Sequence, residues 1–171
     1  VIVISETRPE PTQEPQTTKI YEEPLTQSVL QMIMAVSEDL GYPLADKTVI
    51  QEYSEEAVLN ETMGDYRAHT GTDFKGAAGD AISAMSDGTV NGIYTDDYLG
   101  NVVSVQCDNY EIHYCGLDEV NVSKGDTVEQ GDELGTLGEI PSEEALGSHL
   151  HIEIKVNGQY CDPLALITGE E

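Results

Sequence analysis

Basic residues are scarce in this chain. Seven Lys plus Arg stand against 33 Asp plus Glu among 171 residues, so the formal net charge is -26. A charge of that size repels phosphate backbones and the surfaces of anionic membranes. Because the acidic residues are spread along the sequence, they indicate a solvated acidic surface. We therefore expect no nucleic-acid partner.

Cysteine is also rare, with Cys107, Cys115 and Cys161 as the three examples. The number is odd and no CxxC pair occurs, which argues against a disulfide framework and against a thiolate metal site. We expect these residues to act as small buried side chains.

Long apolar runs are missing as well, and none approaches the roughly 18 residues that cross a bilayer. Near the start, the stretch SETRPEPTQEPQTTK is rich in Pro, Glu, Thr and Gln and has no apolar period. Such a composition is typical of an extended tether. We expect residues 1–23 to be a linker that follows a membrane anchor outside this chain. Thr26 then caps a short helix over residues 24–42.

Short apolar runs between turn signals fill the rest of the sequence, among them NVVSVQC, EIHYC and HLHIEIKV. Asp87-Gly88 and Asn157-Gly158 are tight-turn dipeptides, and Asp108-Asn109 fits another reversal. The pattern predicts an all-β domain over residues 43–167, built as a sandwich or partly open barrel of antiparallel strands. Residues 168–171 would form a tail.

Three of the four histidines occur in phrases that suggest a metal centre. HLHIEI predicts a strand, and its alternation places His149 and His151 on one face. HTGTD supplies His69 and Asp73 in a glycine-containing stretch that can curl, so that both reach one point. Two imidazole nitrogens and one carboxylate oxygen would leave the fourth position of zinc open, which is typical of a catalytic site. The same donor set also admits other divalent ions.

A rival interpretation starts from VNVSKGDTVEQGDELGTLG, residues 120–138. Its rhythm of Val and Gly-Asp resembles biotinyl and lipoyl carrier domains, which hold their cofactor on a lysine at a hairpin tip. No lysine here lies in a matching turn, so the stretch indicates a shared β architecture more than a carrier function.

Several phrases occur together in an order known from one family. TMGDYRAHTGTDF, DGTV, the Gly-Asp rhythm, SHLHIEI and NGQYCDP follow one another between residues 43 and 167. In this the chain resembles lysostaphin-type zinc endopeptidases, and TMGDYRAHTGTDF and EEALGSHLH resemble the stage II sporulation protein Q subgroup. The resemblance implies a zinc ion held by His69, Asp73 and His151, with His149 assisting the attacking water. Substrates in the family are the peptides of bacterial cell-wall cross-links.

One position departs from the family pattern. The family has a second catalytic histidine in a Tyr-x-His-Leu phrase, and the corresponding phrase here is Tyr-Cys-Gly-Leu with Gly116 at that place. Glycine can neither donate nor accept a proton, so turnover should be nearly silenced while zinc binding survives. We therefore expect a zinc-binding, catalytically impaired domain that acts as an extracytoplasmic interaction module.

The resemblance to the sporulation subgroup also implies a location and a partner. The domain would be tethered to the cytoplasmic (forespore) membrane and would meet a protein from the facing membrane during engulfment. Contact would be made through the sheet surface or a strand edge. The alternative is an active endopeptidase that cleaves peptidoglycan cross-link peptides, with another group in place of the missing histidine.

The fourth histidine, His113, lies in EIHYCGL. Strict alternation places Tyr114 and Gly116 on one face of this strand, and His113 and Cys115 on the other. If Gly116 occupies the family's histidine position, His113 points away from the site. Only a bulge could turn it inward.

Overall fold

The structure is a computed structural model that describes residues 40–168, and the regular secondary structure within this range is almost wholly β-strand. No helix in that range is long and apolar enough to span a bilayer. The strands are β1 Val49–Gln51, β2 Ser54–Asn60, β3 Asp65–His69, β4 Thr72–Lys75, β5 Ala81–Ser83, β6 Gly88–Asp96, β7 Gly100–Cys107, β8 Tyr110–Val120, β9 Thr127–Val128, β10 Glu133–Leu137, β11 His149–Val156 and β12 Gln159–Cys161. A 3-10 helix spans Pro141–Leu146, and the short helix α1 spans Pro163–Thr168.

The predicted linker over residues 1–23 lies outside the described residues. So does the predicted helix over 24–42, apart from its last three residues, which are not helical. The helices that the structure does describe lie toward the C-terminal end of the chain.

A large antiparallel sheet organises the domain. Its main path runs β1-β4-β11-β8-β7-β6-β9, while β10 pairs with β5 and β8, β12 pairs with β11, and β2 and β3 form a separate hairpin. This confirms the predicted all-β antiparallel fold. The Asn157-Gly158 turn joins β11 to β12 with φ values of 53° and 80°, as expected for the tight hairpin turn that this dipeptide favours.

The hydrophobic core lies on one face of the central strands. Leu150, Ile152 and Ile154 of β11 are fully buried there, together with Ile112 and Tyr114 of β8. β5 and β10 contribute to the same core through Ile82, Leu134 and Leu137. Burying a large apolar side chain contributes roughly 1.5–3 kcal/mol, so this face fixes the orientation of both strands. The alternate residues of β11, beginning with His149, must then project from the opposite face.

The alternation of β8 is interrupted at Gly116, which has φ +89°. Between the pairs Val102↔Cys115 and Asn101↔Leu117, β8 advances by two residues while β7 advances by one, so β8 carries a bulge there. Strict alternation counted from Gly116 back toward His113 therefore assigns these residues to the wrong face of β8.

The predicted orientation of His113 is therefore wrong. His113 lies directly opposite Glu153 of β11, and Cys115 lies opposite His151. Because paired residues of antiparallel strands project from the same face, His113 shares the face of His151.

Candidate metal centre

Two neighbouring strands and the end of a third bring the predicted ligands together. His151 of β11 pairs with Asp73 of β4, and His69 is the last residue of β3. The Nδ1 of His151 lies 2.7 Å from Asp73 Oδ1, and the Nε2 of His69 lies 3.3 Å from the same oxygen. All three side chains are buried, so sequence-distant donors converge on one point away from solvent.

The glycine of HTGTD permits this convergence. A Cβ added to Gly71 would lie 2.6 Å from His151 Nε2 and 2.4 Å from the carbonyl oxygen of Ile152. Any larger residue would push β11 away from the turn. The expectation that this stretch curls to deliver both His69 and Asp73 agrees with the structure.

His69 has the protonation pattern of a metal ligand. Its Nδ1 lies 2.7 Å from the carbonyl oxygen of Glu52, so this nitrogen donates the hydrogen and the neutral ring carries its lone pair on Nε2. That Nε2 is buried without a hydrogen-bond partner, as is Asp73 Oδ2. A lone pair facing a carboxylate is unfavourable unless a cation lies between them. The donor set therefore fits a divalent metal.

Sequence reasoning missed a fourth member of this group, Glu143. It belongs to the 3-10 helix Pro141–Leu146, where its φ and ψ of -134° and 23° interrupt the helical geometry. One carboxylate oxygen lies 3.8 Å from His69 Nε2 and the other 3.8 Å from His151 Nδ1. One donor atom each from His69, Asp73, Glu143 and His151 fall within 4.8 Å of one another. These residues form a buried metal-binding group.

His149 lies beside the group on the same face of β11, as strand parity predicts. Its Nδ1 donates to the carbonyl oxygen of Gly147 at 2.7 Å, and its Nε2 faces Glu143 Oε2 at 3.1 Å. Its Nε2 is also 3.8 Å from Asp73 Oδ2. The ring is fully buried and held at both nitrogens, so its orientation is fixed.

Glu153 lies next to the second ring nitrogen of His151. It lies two residues after His151 on the same face, and its Oε1 is 3.7 Å from His151 Nε2. Thr70 donates a hydrogen bond of 2.7 Å to the same oxygen. This distance is too long for a hydrogen bond, but the carboxylate faces the far nitrogen of the imidazole, the side from which carboxylates orient ligating rings. Parity along HLHIEI could have identified this residue.

The charges of the group suit a cation. Burial disfavours the ionised form of Asp73, but the hydrogen bond from the His151 imidazole favours it, and the pKa of the carboxyl is lowered. Burial also opposes charge on His151 and His149, yet Asp73 raises the pKa of the first and Glu143 raises the pKa of the second. The buried carboxylate of Asp73 thus stays ionised and attracts positive charge.

His113 is not a member of the metal-binding group within residues 40–168. Its Nδ1 lies 3.2 Å from the hydroxyl oxygen of Tyr94, and its Nε2 lies 3.1 Å from Glu111 Oε2. It is therefore a structural histidine on the face of the site, one strand away from His151.

Comparison with known proteins identifies the fold. The model of peptidase family M23 matches residues 67–163, which is more than half of the chain. The chain belongs to peptidase family M23. The match includes residues 120–138, so the stretch that resembles carrier domains is part of the M23 sheet.

Individual relatives show which members of peptidase family M23 this chain is similar to. This M23 domain is 38% identical over 84 residues to stage II sporulation protein Q of Bacillus subtilis, covering 48% of this chain and 30% of that protein. It is 36% identical over 106 residues to the peptidoglycan DD-endopeptidase ShyC of Vibrio cholerae, covering 61% of this chain and 24% of that protein. The chain thus spans about a quarter to a third of these relatives.

A solved structure described as the SpoIIQ-SpoIIIAH pore forming complex has the same fold. The TM-score is 0.67 at 28% sequence identity, and the match covers 77% of this chain and 92% of that chain. The resemblance to the stage II sporulation protein Q subgroup is thereby confirmed.

Gly116 of the M23 domain lies against the segment that leads to Glu143. A Cβ at Gly116 would lie 2.6 Å from Cγ1 and 3.1 Å from Cδ1 of Ile140, and Gly116 accepts a 2.7 Å hydrogen bond from the Gly138 amide. The space beside Gly116 is therefore filled by the Ile140 side chain. A histidine at position 116 would need both this space and a positive φ.

We predict that Gly116→Ala destabilises the domain more than Gly79→Ala does. Both glycines have φ +89°, but a Cβ at Gly79 meets nothing within 4 Å. The backbone strain should cost about 1–2 kcal/mol in each variant. The clash with Ile140 should cost about 1–3 kcal/mol more in Gly116→Ala. Urea unfolding of both variants measures the difference, and equal losses would contradict the close packing of Ile140.

Proposed function

We propose that this M23 domain is a zinc-binding, catalytically impaired endopeptidase-like module that acts by binding a protein outside the cytoplasmic membrane. The observation that carries the proposal is the packing of Ile140 at the Cβ position of Gly116. At that place the family resemblance expects a catalytic histidine. The M23 fold and the buried His/Asp/Glu group support metal binding, while the filled space beside Gly116 argues against efficient hydrolysis.

The proposed zinc ligands are His69 Nε2, Asp73 Oδ1 and His151 Nδ1. Two imidazole nitrogens and one carboxylate oxygen are donors that zinc accepts. When bound in such a site, zinc polarises a peptide carbonyl and lowers the pKa of its water. The buried Nε2 of His69 has no hydrogen-bond partner, which supports its assignment as a zinc ligand.

His149 is proposed to remain outside the ligand set, and in an open three-ligand site it would orient a water molecule. Its Nδ1 is committed to the carbonyl oxygen of Gly147, so Nε2 is the nitrogen directed into the group. In an active member, a second histidine would share the proton transfers. Its loss is worth about 10²–10⁴ in rate, or roughly 3–5 kcal/mol of barrier.

A binding role fits the surface and the relatives. The β2–β3 hairpin exposes Leu59, Met63 and Tyr66, the last of them 71% exposed. Large exposed apolar side chains grouped on one hairpin suit a protein contact. The relative of similar fold occurs in a SpoIIQ-SpoIIIAH complex, and we propose that the corresponding partner here is the SpoIIIAH counterpart in the facing membrane. An anchor upstream of residue 1 would tether the domain to the forespore membrane.

The alternative function is cleavage of peptidoglycan cross-link peptides. It is favoured by the complete metal-binding group and by the similarity to a protein named as a DD-endopeptidase. In that case a group other than the missing histidine must take part in proton transfer.

Two substitutions distinguish the proposed zinc ligand His151 from its neighbour His149. His151→Ala should lose its zinc on dialysis, because it removes one of three proposed ligands, whereas His149→Ala should keep a full equivalent. Zinc content by atomic emission measures both, and circular dichroism checks that both variants fold. Equal zinc contents would refute this division of roles.

Hydrolysis gives a separate test. The zinc-loaded domain should release peptides from purified peptidoglycan at least about 10²–10⁴ times more slowly than an active M23 domain does, because one acid-base group is missing. Chromatography of released peptides measures this. Sustained release that His149→Ala abolishes would overturn the impaired-enzyme proposal and favour the alternative.

The proposed partner can be tested by calorimetry with the purified SpoIIIAH counterpart. If the β2–β3 hairpin forms the contact, the affinity for this protein should be lower in a Leu59→Ser, Tyr66→Ser double variant. Val58→Ser, on the same strand but less exposed, is the matched control. Unchanged affinity in the double variant would exclude the hairpin, and no binding by the unaltered domain would remove the proposed partner.

A further inference from the structure

One short segment, Ile140–Glu143, contacts both the space beside Gly116 and the metal-binding group. Its first residue fills the space beside Gly116, and its last directs a carboxylate into the metal-binding group. Only two residues lie between Ile140 and Glu143, so contacts that fix the backbone of this segment help to position both side chains.

The Glu143 carboxylate is positioned as a ligand. Its oxygens lie 3.8 Å from His69 Nε2 and 3.8 Å from His151 Nδ1. Donors around a tetrahedral zinc lie ~3.3 Å apart when each bond is ~2.0–2.1 Å. Small shifts would therefore bring one Glu143 oxygen into the fourth position.

We propose that Glu143 is a fourth protein ligand, which converts the open metal site expected for a peptidase into a closed one. The inference rests on the proposed function in that it requires metal binding by His69, Asp73 and His151. Four protein donors leave no position for a water molecule or a peptide carbonyl. The metal then stabilises this end of the sheet and its loops, which suits a binding module.

Several contacts hold Glu143 inward. Its side chain is 8% exposed, and His149 Nε2 lies 3.1 Å from its Oε2. The backbone on either side is fixed as well: the Ser142 amide donates to the Tyr98 carbonyl at 2.9 Å, and the Ala145 amide donates to Thr62 Oγ1 at 2.9 Å. A buried carboxylate placed among imidazole nitrogens is costly unless it is paired. Coordination to a cation is such a pairing.

Cobalt(II) provides the test, because its visible absorption reports the number and kind of its ligands. The unaltered domain is compared with Glu143→Ala, with the isosteric Glu143→Gln, and with Glu144→Ala as the control, since Glu144 is adjacent and exposed. Each protein is titrated with cobalt against a chelator, and acetohydroxamate is then added as a probe for an open coordination position.

Acetohydroxamate should leave the cobalt(II) absorption spectra of the unaltered domain and of Glu144→Ala unchanged. It should shift the spectra of Glu143→Ala and Glu143→Gln, in which a coordination position is open. Cobalt affinity should fall about tenfold or more in both Glu143 variants, since even residues behind a ligand are worth 10–100-fold. If the unaltered domain binds cobalt and the probe shifts its spectrum, or if Glu143→Gln keeps the full affinity, the fourth ligand is refuted while the three-ligand site stands. If the unaltered domain binds no cobalt, both the proposed function and this inference fall.

Discussion

The buried carboxylate of Asp73 is the constraint on which the site depends. It has no solvent exposure, and three imidazoles lie within 2.7–3.8 Å of its oxygens. An ionised group in such a place is stable only when positive charge or hydrogen bonds surround it. The sheet supplies that environment because the apolar face of β11 fixes its register against β4. A slip of one residue would turn His151 into the core and leave Asp73 without its closest partner.

Much of this arrangement could be predicted from short-range rules. Alternation along HLHIEI placed His149 and His151 on one face, and the Gly in HTGTD allowed His69 and Asp73 to converge. The same alternation identifies Glu153, which the sequence analysis overlooked. Strict alternation assigned His113 to the wrong face, because the alternation was counted from Gly116. At Gly116 the strand β8 has a positive φ and one extra residue relative to β7. A glycine inside a strand pattern is a known sign of a bulge, so the error had a visible cause.

The contribution of Ile140 and Glu143 could not be predicted in this way. Both lie in a segment without strand or helical period, and Glu143 has irregular dihedral angles between two short 3-10 turns. Its position depends on contacts with residues far away in the sequence, including Thr62 and Tyr98. Such contacts leave no periodic signal. They nevertheless bear on the proposed chemistry, because this segment fills the space beside Gly116 and brings the Glu143 carboxylate to the metal-binding group.

The domain thus combines the sheet of peptidase family M23 with a buried His/Asp/Glu group, and the side chain of Ile140 fills the space beside Gly116. Under the proposal, a metal bound there stabilises the structure and does not serve hydrolysis. The most direct test is a crystal structure of the zinc-loaded domain. The account predicts one zinc ion with His69, Asp73, His151 and Glu143 at ~2.0–2.2 Å and Ile140 packed on Gly116. A zinc ion with a water molecule in its fourth position and the Glu143 side chain turned away would contradict it.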